Sequence, residues 1–243
     1  MSGAGTRRSR PGRAPPPEGA APPRRIDAHA RTGSSPIMPD AFASFADRLK
    51  ACRVCRDAPE RAGPLPHEPR PIVQGSGEAR LLIASQAPGN RAHQSGRPFQ
   101  DPSGIRLRDW LGLDEPVFYD PRRVAIVPMG HCFPGYDTAG GDLPPRRECA
   151  PLWREEALAA LPRIELVLAI GQYAQAWHLR GRERSLTETV RSWREILDGS
   201  GEGPRVLPLP HPSWRNSGWL MRHPWFGAEL LPRLRAEVAA LVA

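Results

Sequence analysis

Apolar residues along this chain fall into two patterns that alternate. From Asp40 onward, Phe42, Phe45, Ala46 and Leu49 recur at helical spacing behind a side chain suited to the first free N–H groups, which predicts a helix capped near Asp40. A Pro-rich connector, Pro59 to Pro71, leads to Ala79-Arg-Leu-Leu-Ile-Ala-Ser85, a short apolar run of the kind that parallel strands buried on both faces show. Ser103 to Leu111 predicts a helix with a Ser cap. The alternation continues with a strand at Arg123 to Val127, a helix at Arg146 to Leu161, a strand at Glu165 to Ile170 and a helix at Gln172 to Leu179. A helix near Leu186 to Leu197, a strand at Arg205 to Leu209 and a helix at Phe226 to Leu241 complete it. This order predicts an α/β fold, a central parallel four-stranded sheet with helices on both faces.

Ligands of such sheets lie beyond the carboxyl ends of the strands. Three segments therefore share one rim: Gln86 to Gly104, Pro128 to Pro145, and Pro210 to Gly218. No internal repeat is evident.

Composition changes the picture mainly at the N-terminus. The formal net charge is +8, but residues 1–38 hold seven Arg against Glu18 and Asp27, so +5 of it sits there and +3 remains for the rest. Net charge alone is thus a weak argument for a nucleic-acid partner. Residues 1–38 are rich in Pro, Gly, Ala and Arg without apolar periodicity, so burial cannot offset their ordering entropy. They are expected to be a disordered basic tail ahead of a single domain over residues 39–243. The tail reads either as a DNA-contacting arm or as a solvated extension, and Met38 is an alternative start.

With 243 residues, 40% of them hydrophobic, the chain can bury a substantial core. Its longest apolar stretches fall far short of the ~20 residues that span a bilayer, and no signal-peptide core follows the N-terminus. A soluble, cytoplasmic monomer is the expectation.

Two rim segments carry candidate chemistry. The first strand runs into Ser85-Gln-Ala-Pro-Gly89 and on to Ser95-Gly-Arg-Pro-Phe-Gln-Asp-Pro-Ser-Gly104; the last runs into Leu209-Pro-His-Pro-Ser-Trp-Arg-Asn216. Singly, a Pro-Gly after a strand is a turn and a His-Pro is a loop. Together, in this order and with Pro-Phe between them, they resemble the two signature regions of the uracil-DNA glycosylase superfamily, and the similarity covers about residues 45–240.

That resemblance implies a set of roles. A glycosylase extrudes the nucleotide, holds its base in a pocket and stabilises charge as the N-glycosidic bond breaks. Negative charge then builds on the departing base, so a fixed donor beside its carbonyl oxygen lowers the barrier. His211 matches the family His in that role; the plain alternative is a solvated loop His. Phe99 matches the aromatic that stacks on the flipped base, unless it is simply a core Phe. Gln86, with the backbone of Ala87, Pro88 and Gly89, matches the segment that lies against base and sugar. Ser213 follows His211 at the substrate, and Trp214, Arg215 and Asn216 lie on the loop that enters the minor groove in the family, suited to wedging or to holding a phosphate.

The departures are equally informative. One branch of the family has an Asp that orients the attacking water where this chain has Ala87, leaving Asp101 and His93 as nearby candidates. The family's second strand commonly ends in an Asn that reads the uracil edge, and here the sequence is Val127-Pro-Met-Gly130. Another branch bonds covalently to the abasic sugar through a His in a basic loop. The corresponding segment, Phe133 to Asp142, contains no His, Lys or Arg, so turnover is expected.

Four cysteines remain. Cys52-Arg-Val-Cys55 is followed roughly 75 residues later by Cys132 and Cys149, which are separated by sixteen residues. In a chain expected to be cytoplasmic this favours metal over disulfides. The spacing resembles the iron–sulfur branch of the superfamily, which implies a 4Fe-4S cluster of structural role. Thiolates also suit a structural zinc, and unliganded core thiols are a third reading.

The resemblance thus implies a DNA repair glycosylase that excises uracil and leaves an abasic site. Two rivals keep the fold: a glycosylase for another deaminated base such as hypoxanthine or xanthine, and a protein that binds uracil or abasic DNA without cleaving it. A dinucleotide enzyme is disfavoured, because no Gly-x-Gly-x-x-Gly follows the first strand.

Overall fold

Strands in this protein are apolar on both sides, and their alternate residues feed two different cores. The structure, a computed structural model, describes residues 40–60, 63–179, 185–199, 201 and 203–243. The expected tail, residues 1–38, and the alternative start at Met38 lie outside the described residues. In chain order the elements are α1 (Ala41–Lys50), α2 (Val54–Asp57), β1 (Leu81–Ala84), α3 (Asn90–Ser95), α4 (Pro102–Leu111), α5 (Glu115–Phe118), β2 (Val124–Ile126) and α6 (Cys149–Ala159). They continue with β3 (Leu166–Ile170), α7 (Gly171–His178), α8 (Leu186–Arg191), α9 (Trp193–Asp198), β4 (Arg205–Leu209), α10 (Ser217–Arg222) and α11 (Leu231–Val242).

Leu81 and Ile83 of β1, Leu166 and Leu168 of β3 and Leu207 of β4 point into one core, closed by Leu107 and Trp110 of α4, Trp193 of α9 and Leu234 and Val238 of α11. Leu82 and Ala84 of β1 and Val167 and Ala169 of β3 point the other way, against Phe42, Phe45 and Leu49 of α1, Ala157 of α6 and Ala174 of α7. This period of two is what a strand covered on both faces requires. Each fully buried Leu, Ile or Phe contributes roughly 1.5–3 kcal/mol. The helices therefore occupy both faces, as expected.

Among the described residues the sheet has four strands in the order β2-β1-β3-β4, all paired in parallel. The chain steps outward from β1 to β2 and then returns to the opposite side of β1 for β3. Loops leaving β1 and β3 consequently diverge at their carboxyl ends and open a crevice there. The outer edge of β2 is closed by Gln74, which exchanges two backbone hydrogen bonds with Ile126 and donates from its amide to the carbonyls of Phe118 and Val124.

Local chemistry moved several boundaries. Asp101, not Ser103, caps α4: its Oδ1 accepts from the Gly104 N–H at 3.0 Å and Pro102 starts the helix. The helix expected over Leu186 to Leu197 is two, meeting at Ser192, with a capping box of Ser185 and Glu188 at the start of the first. The last helix opens with a π-helical turn at Phe226–Leu230, ahead of the Pro that follows Leu231. Among the described residues, no helix is long and apolar enough to cross a membrane.

Candidate active site

The β1–β3 crevice holds a cavity of about 410 Å3, and most of the residues singled out from the sequence meet there. Gln86, Ala87, Pro88 and Gly89 form one wall as the chain leaves β1. Phe99 lies on the segment before α4, and His211, Ser213, Arg215 and Asn216 arrive from the loop after β4. Trp214 is the exception, 71% exposed on the outside of that loop. It does not line the cavity, a position compatible with contact to a surface outside.

His211 is enclosed by protein on all but its cavity side. Its Nδ1 accepts from the backbone N–H of Ser213 at 3.3 Å. Burial pushes its pKa below the ordinary histidine value, against a smaller upward pull from Asp101. The ring is therefore neutral at neutral pH, and with Nδ1 accepting, its proton belongs on Nε2. Two contacts fix the loop beneath it. Asn216 donates from Nδ2 to the His211 carbonyl at 2.7 Å, and Arg106 of α4 donates to the Ser213 carbonyl at 3.0 Å.

Phe99 is held in an uncommon conformation. Its φ of 54° is the one positive value among the described residues other than glycine, a backbone state that costs a bulky residue roughly 1–2 kcal/mol. Tyr119 donates its hydroxyl to the carbonyls of Pro98 and Phe99, at 2.9 and 3.3 Å, and the Phe118 ring meets Phe99 edge-on at 6.2 Å. Gly104 makes the turn possible, since a Cβ there would lie 1.9 Å from the Phe99 carbonyl oxygen. Strain maintained at a cavity wall by several independent contacts is a functional signature.

A family model described as the Uracil DNA glycosylase superfamily matches residues 72–235. The chain belongs to that superfamily. Membership brings DNA as the substrate polymer and hydrolysis of an N-glycosidic bond in DNA repair as the class of activity. The match starts after Cys52 and Cys55, so that pair lies outside it, while Cys132 and Cys149 lie within it.

Within this glycosylase fold the two candidates for water activation separate. Asp101 lines the cavity. His93 does not: its ring packs at 4.2 Å from that of His67 and 6.0 Å from that of Phe133, and burial lowers its pKa, with His67 and Arg70 adding to the shift. Sequence reasoning missed Gln172 and Tyr173, which line the cavity from the start of α7. Gly171, at φ 79°, turns β3 directly into that helix beside the Gln86 side chain. It also missed Asp142, from the loop after β2. Of the segment Val127-Pro-Met-Gly130, where a base-reading Asn was expected and is missing, Pro128 lines the cavity, beside Ile126 at the end of β2.

Cys52, Cys55, Cys132 and Cys149 line a second, smaller cavity together with Leu49, Leu65, His131 and Arg146. Burial pushes the Cys132 thiol up to about 12 and raises Cys149 further, while Cys55 is raised by burial and by Glu148. The His131 backbone N–H donates to the Cys149 sulfur at 3.4 Å. Among the described residues, no three His, Cys, Asp or Glu side chains converge as a single bound ion requires. The donor set is four thiols around a common space.

Proposed function

We propose that this chain is a monofunctional DNA glycosylase that flips uracil out of DNA and cleaves its N-glycosidic bond, leaving an abasic site. The observation that carries the reading is His211, a neutral imidazole whose Nδ1 accepts from Ser213 N–H in a cavity shared with Phe99 and Gln86. In this mechanism the Nε2–H donates to the carbonyl oxygen of the departing base. A neutral donor serves an anionic leaving group without needing a proton from solvent, and its fixed loop removes the reorganisation cost. Phe99 offers a ring face to the flipped base, and Gln86 an amide to its polar edge. Ala87, Pro88 and Gly89 pass beside the sugar. Ser213 fixes the His tautomer, while Trp214, Arg215 and Asn216 engage the duplex around the extruded nucleotide.

The absence of an Asn from Val127-Pro-Met-Gly130, whose Pro128 lines the cavity, favours one second reading, a different deaminated base. Single-turnover cleavage of oligonucleotides carrying one uracil, hypoxanthine or xanthine, with binding measured in parallel, separates the readings. Preferred cleavage at uracil supports the proposal. Preferred cleavage at a purine moves the specificity, and tight binding without cleavage makes the chain a binding protein.

The same reading places the chain closest to the iron–sulfur branch, with Cys52, Cys55, Cys132 and Cys149 as ligands of a 4Fe-4S cluster. What supports it is that all four thiols line one cavity. When bound, the cluster would be a structural cross-link between the N-terminal helices and the loop after β2.

A further inference from the structure

Ala87 leaves the first motif without a carboxylate, yet two carboxylates reach the same wall from other elements. Asp101 arrives from the start of α4. Its Oδ1 is committed to the Gly104 N–H, and its Oδ2 lies 3.8 Å from where a Cβ on Gly89 would sit. Asp142 arrives from the loop after β2, and its Oδ2 lies 3.5 Å from that same point. The missing Cβ of Gly89 thus leaves a space flanked by two carboxylate oxygens, two residues beyond Ala87 and in the cavity that holds His211.

Asp142 is presented by a rigid turn. Asp137 Oδ1 accepts from the N–H groups of Ala139 and Gly141 at 2.9 and 2.7 Å, the Asp137 N–H donates to the Gly141 carbonyl at 2.7 Å, and Leu143 N–H donates to Gly135 at 2.9 Å. The Asp142 carboxylate itself is open to solvent on the cavity side. Asp101 differs in having one oxygen already satisfied by its helix cap.

We propose that Asp142, facing Asp101 across Gly89, is the carboxylate that orients and deprotonates the water attacking the sugar. The inference rests on the glycosylase reading. The water oxygen bonds to C1′ as the C1′–N bond breaks. The electron pair of that bond leaves with the base, whose oxygen receives the His211 hydrogen bond, and the water proton passes to Asp142. Surrounding protein raises the Asp142 pKa, as do Asp101 and Asp137, against a lowering by Arg215. A carboxylate with raised proton affinity and neither oxygen committed to a helix cap suits the role of base.

Structural and catalytic roles for Asp142 predict different results. Asp142→Asn keeps the side-chain shape and removes the base. On the oligonucleotide whose base the wild-type chain excises, its single-turnover rate should fall about 100-fold or more, with DNA affinity within about threefold. Asp142→Ala should regain rate with added formate, a small carboxylate able to occupy the vacated space. The acid limb of the wild-type rate profile should vanish in Asp142→Asn, leaving any limb due to Asp101 or His211; the other charges facing Asp142 are Asp137 and Arg215. Wild-type rates in Asp142→Asn would overturn the inference and leave the glycosylase reading standing. Affinity lost in step with rate, without formate rescue, would likewise overturn it and make Asp142 a support for Arg215. A wild-type chain that cleaves none of the deaminated bases removes the reading and the inference together.

Discussion

The Nδ1 atom of His211 accepts the backbone N–H of Ser213, two residues further along the same loop, at 3.3 Å. This contact decides which face of the imidazole can donate, and the lowered pKa decides that the ring carries one proton rather than two. Replacing His211 by Ala removes a preorganised donor worth ~3 kcal/mol to the transition state, so the single-turnover rate on DNA should fall roughly 100- to 1000-fold. DNA affinity and melting temperature should change little, because the loop remains held through Arg106 and Asn216. Wild-type single-turnover rates in His211→Ala would misplace the catalytic centre. Gln86→Ala should be milder.

Two glycines near the cavity predict opposite outcomes. At Gly104 a methyl group would meet the Phe99 carbonyl oxygen at 1.9 Å and the Phe99 Cβ at 2.8 Å, and neither can move without undoing the turn. Gly104→Ala should cost about 3 kcal/mol, as overpacking against backbone does, and should weaken capture of the flipped base through Phe99. At Gly89 φ is −79° and the nearest atoms are carboxylate oxygens at 3.5 and 3.8 Å, ordinary contacts. Gly89→Ala should therefore melt near wild type while losing single-turnover rate, because the methyl occupies the space between Asp142 and Asp101. Thermal melts alongside the cleavage assay distinguish the two. Gly89 thus serves by absence of a side chain, not by an unusual backbone angle.

The sheet was legible because β1 and β3 are buried on both faces and so read as unbroken apolar runs, Leu81–Ala84 and Leu166–Ile170. The cavity was legible where chemistry is concentrated in one short segment, as at Gln86–Gly89 and His211–Asn216. What escaped depends on strand order, which periodicity does not encode. β3 lies beside β1, and only that neighbourhood brings Gln172 and Tyr173 to the cavity. Asp142 escaped because it is an acidic residue in a Gly-rich turn, indistinguishable by sequence from a solvated one. His93 was plausible by proximity along the chain, but α3 turns it away, toward His67 and Phe133.

Asp142 should cost the fold stability in return for its position. Its folded pKa lies above the ordinary Asp value, so the folded chain binds more protons than the unfolded one between the two pKa values. Its contribution is greatest in acid and is lost as pH rises through the folded pKa, leaving the carboxylate unfavourable at neutral pH. Asp142→Asn should accordingly raise the melting temperature at pH 7, and the gain should shrink toward pH 4. His211 has the opposite sign. Its pKa is depressed by burial, so the stability it contributes is present above the ordinary histidine value and is lost as pH falls through the folded one. His211→Gln should flatten that acid-side loss. Melting curves across pH test both signs, and an Asp142→Asn variant less stable than wild type at pH 7 contradicts the first.

The cysteine cavity makes the remaining prediction. Burial holds the thiols of Cys132 and Cys149 in their neutral form when nothing is bound, pushing Cys132 up to about 12 and raising Cys149 as well. Ligation needs thiolates, so loading the site must release protons, and only a strongly cationic group can offset the desolvation of so many charges. A 4Fe-4S centre would do this if held by Cys52, Cys55, Cys132 and Cys149, the four thiols that line one space. Purified full-length chain should then be brown, with about four iron and four sulfide per molecule. Acid should release the iron as protons compete for the thiolates. Cys52→Ala and Cys149→Ala should each lose iron together with solubility and melting temperature, because the cross-link ties the segment after α1 to the start of α6. Any residual protein should keep the same order of preference among deaminated bases, since neither residue lines the cavity of His211. Stoichiometric zinc, or a colourless protein of full stability without metal, would remove the cluster and leave the four thiols as zinc ligands or as core packing. The assignment to the superfamily would be untouched, for the matched residues begin beyond Cys55.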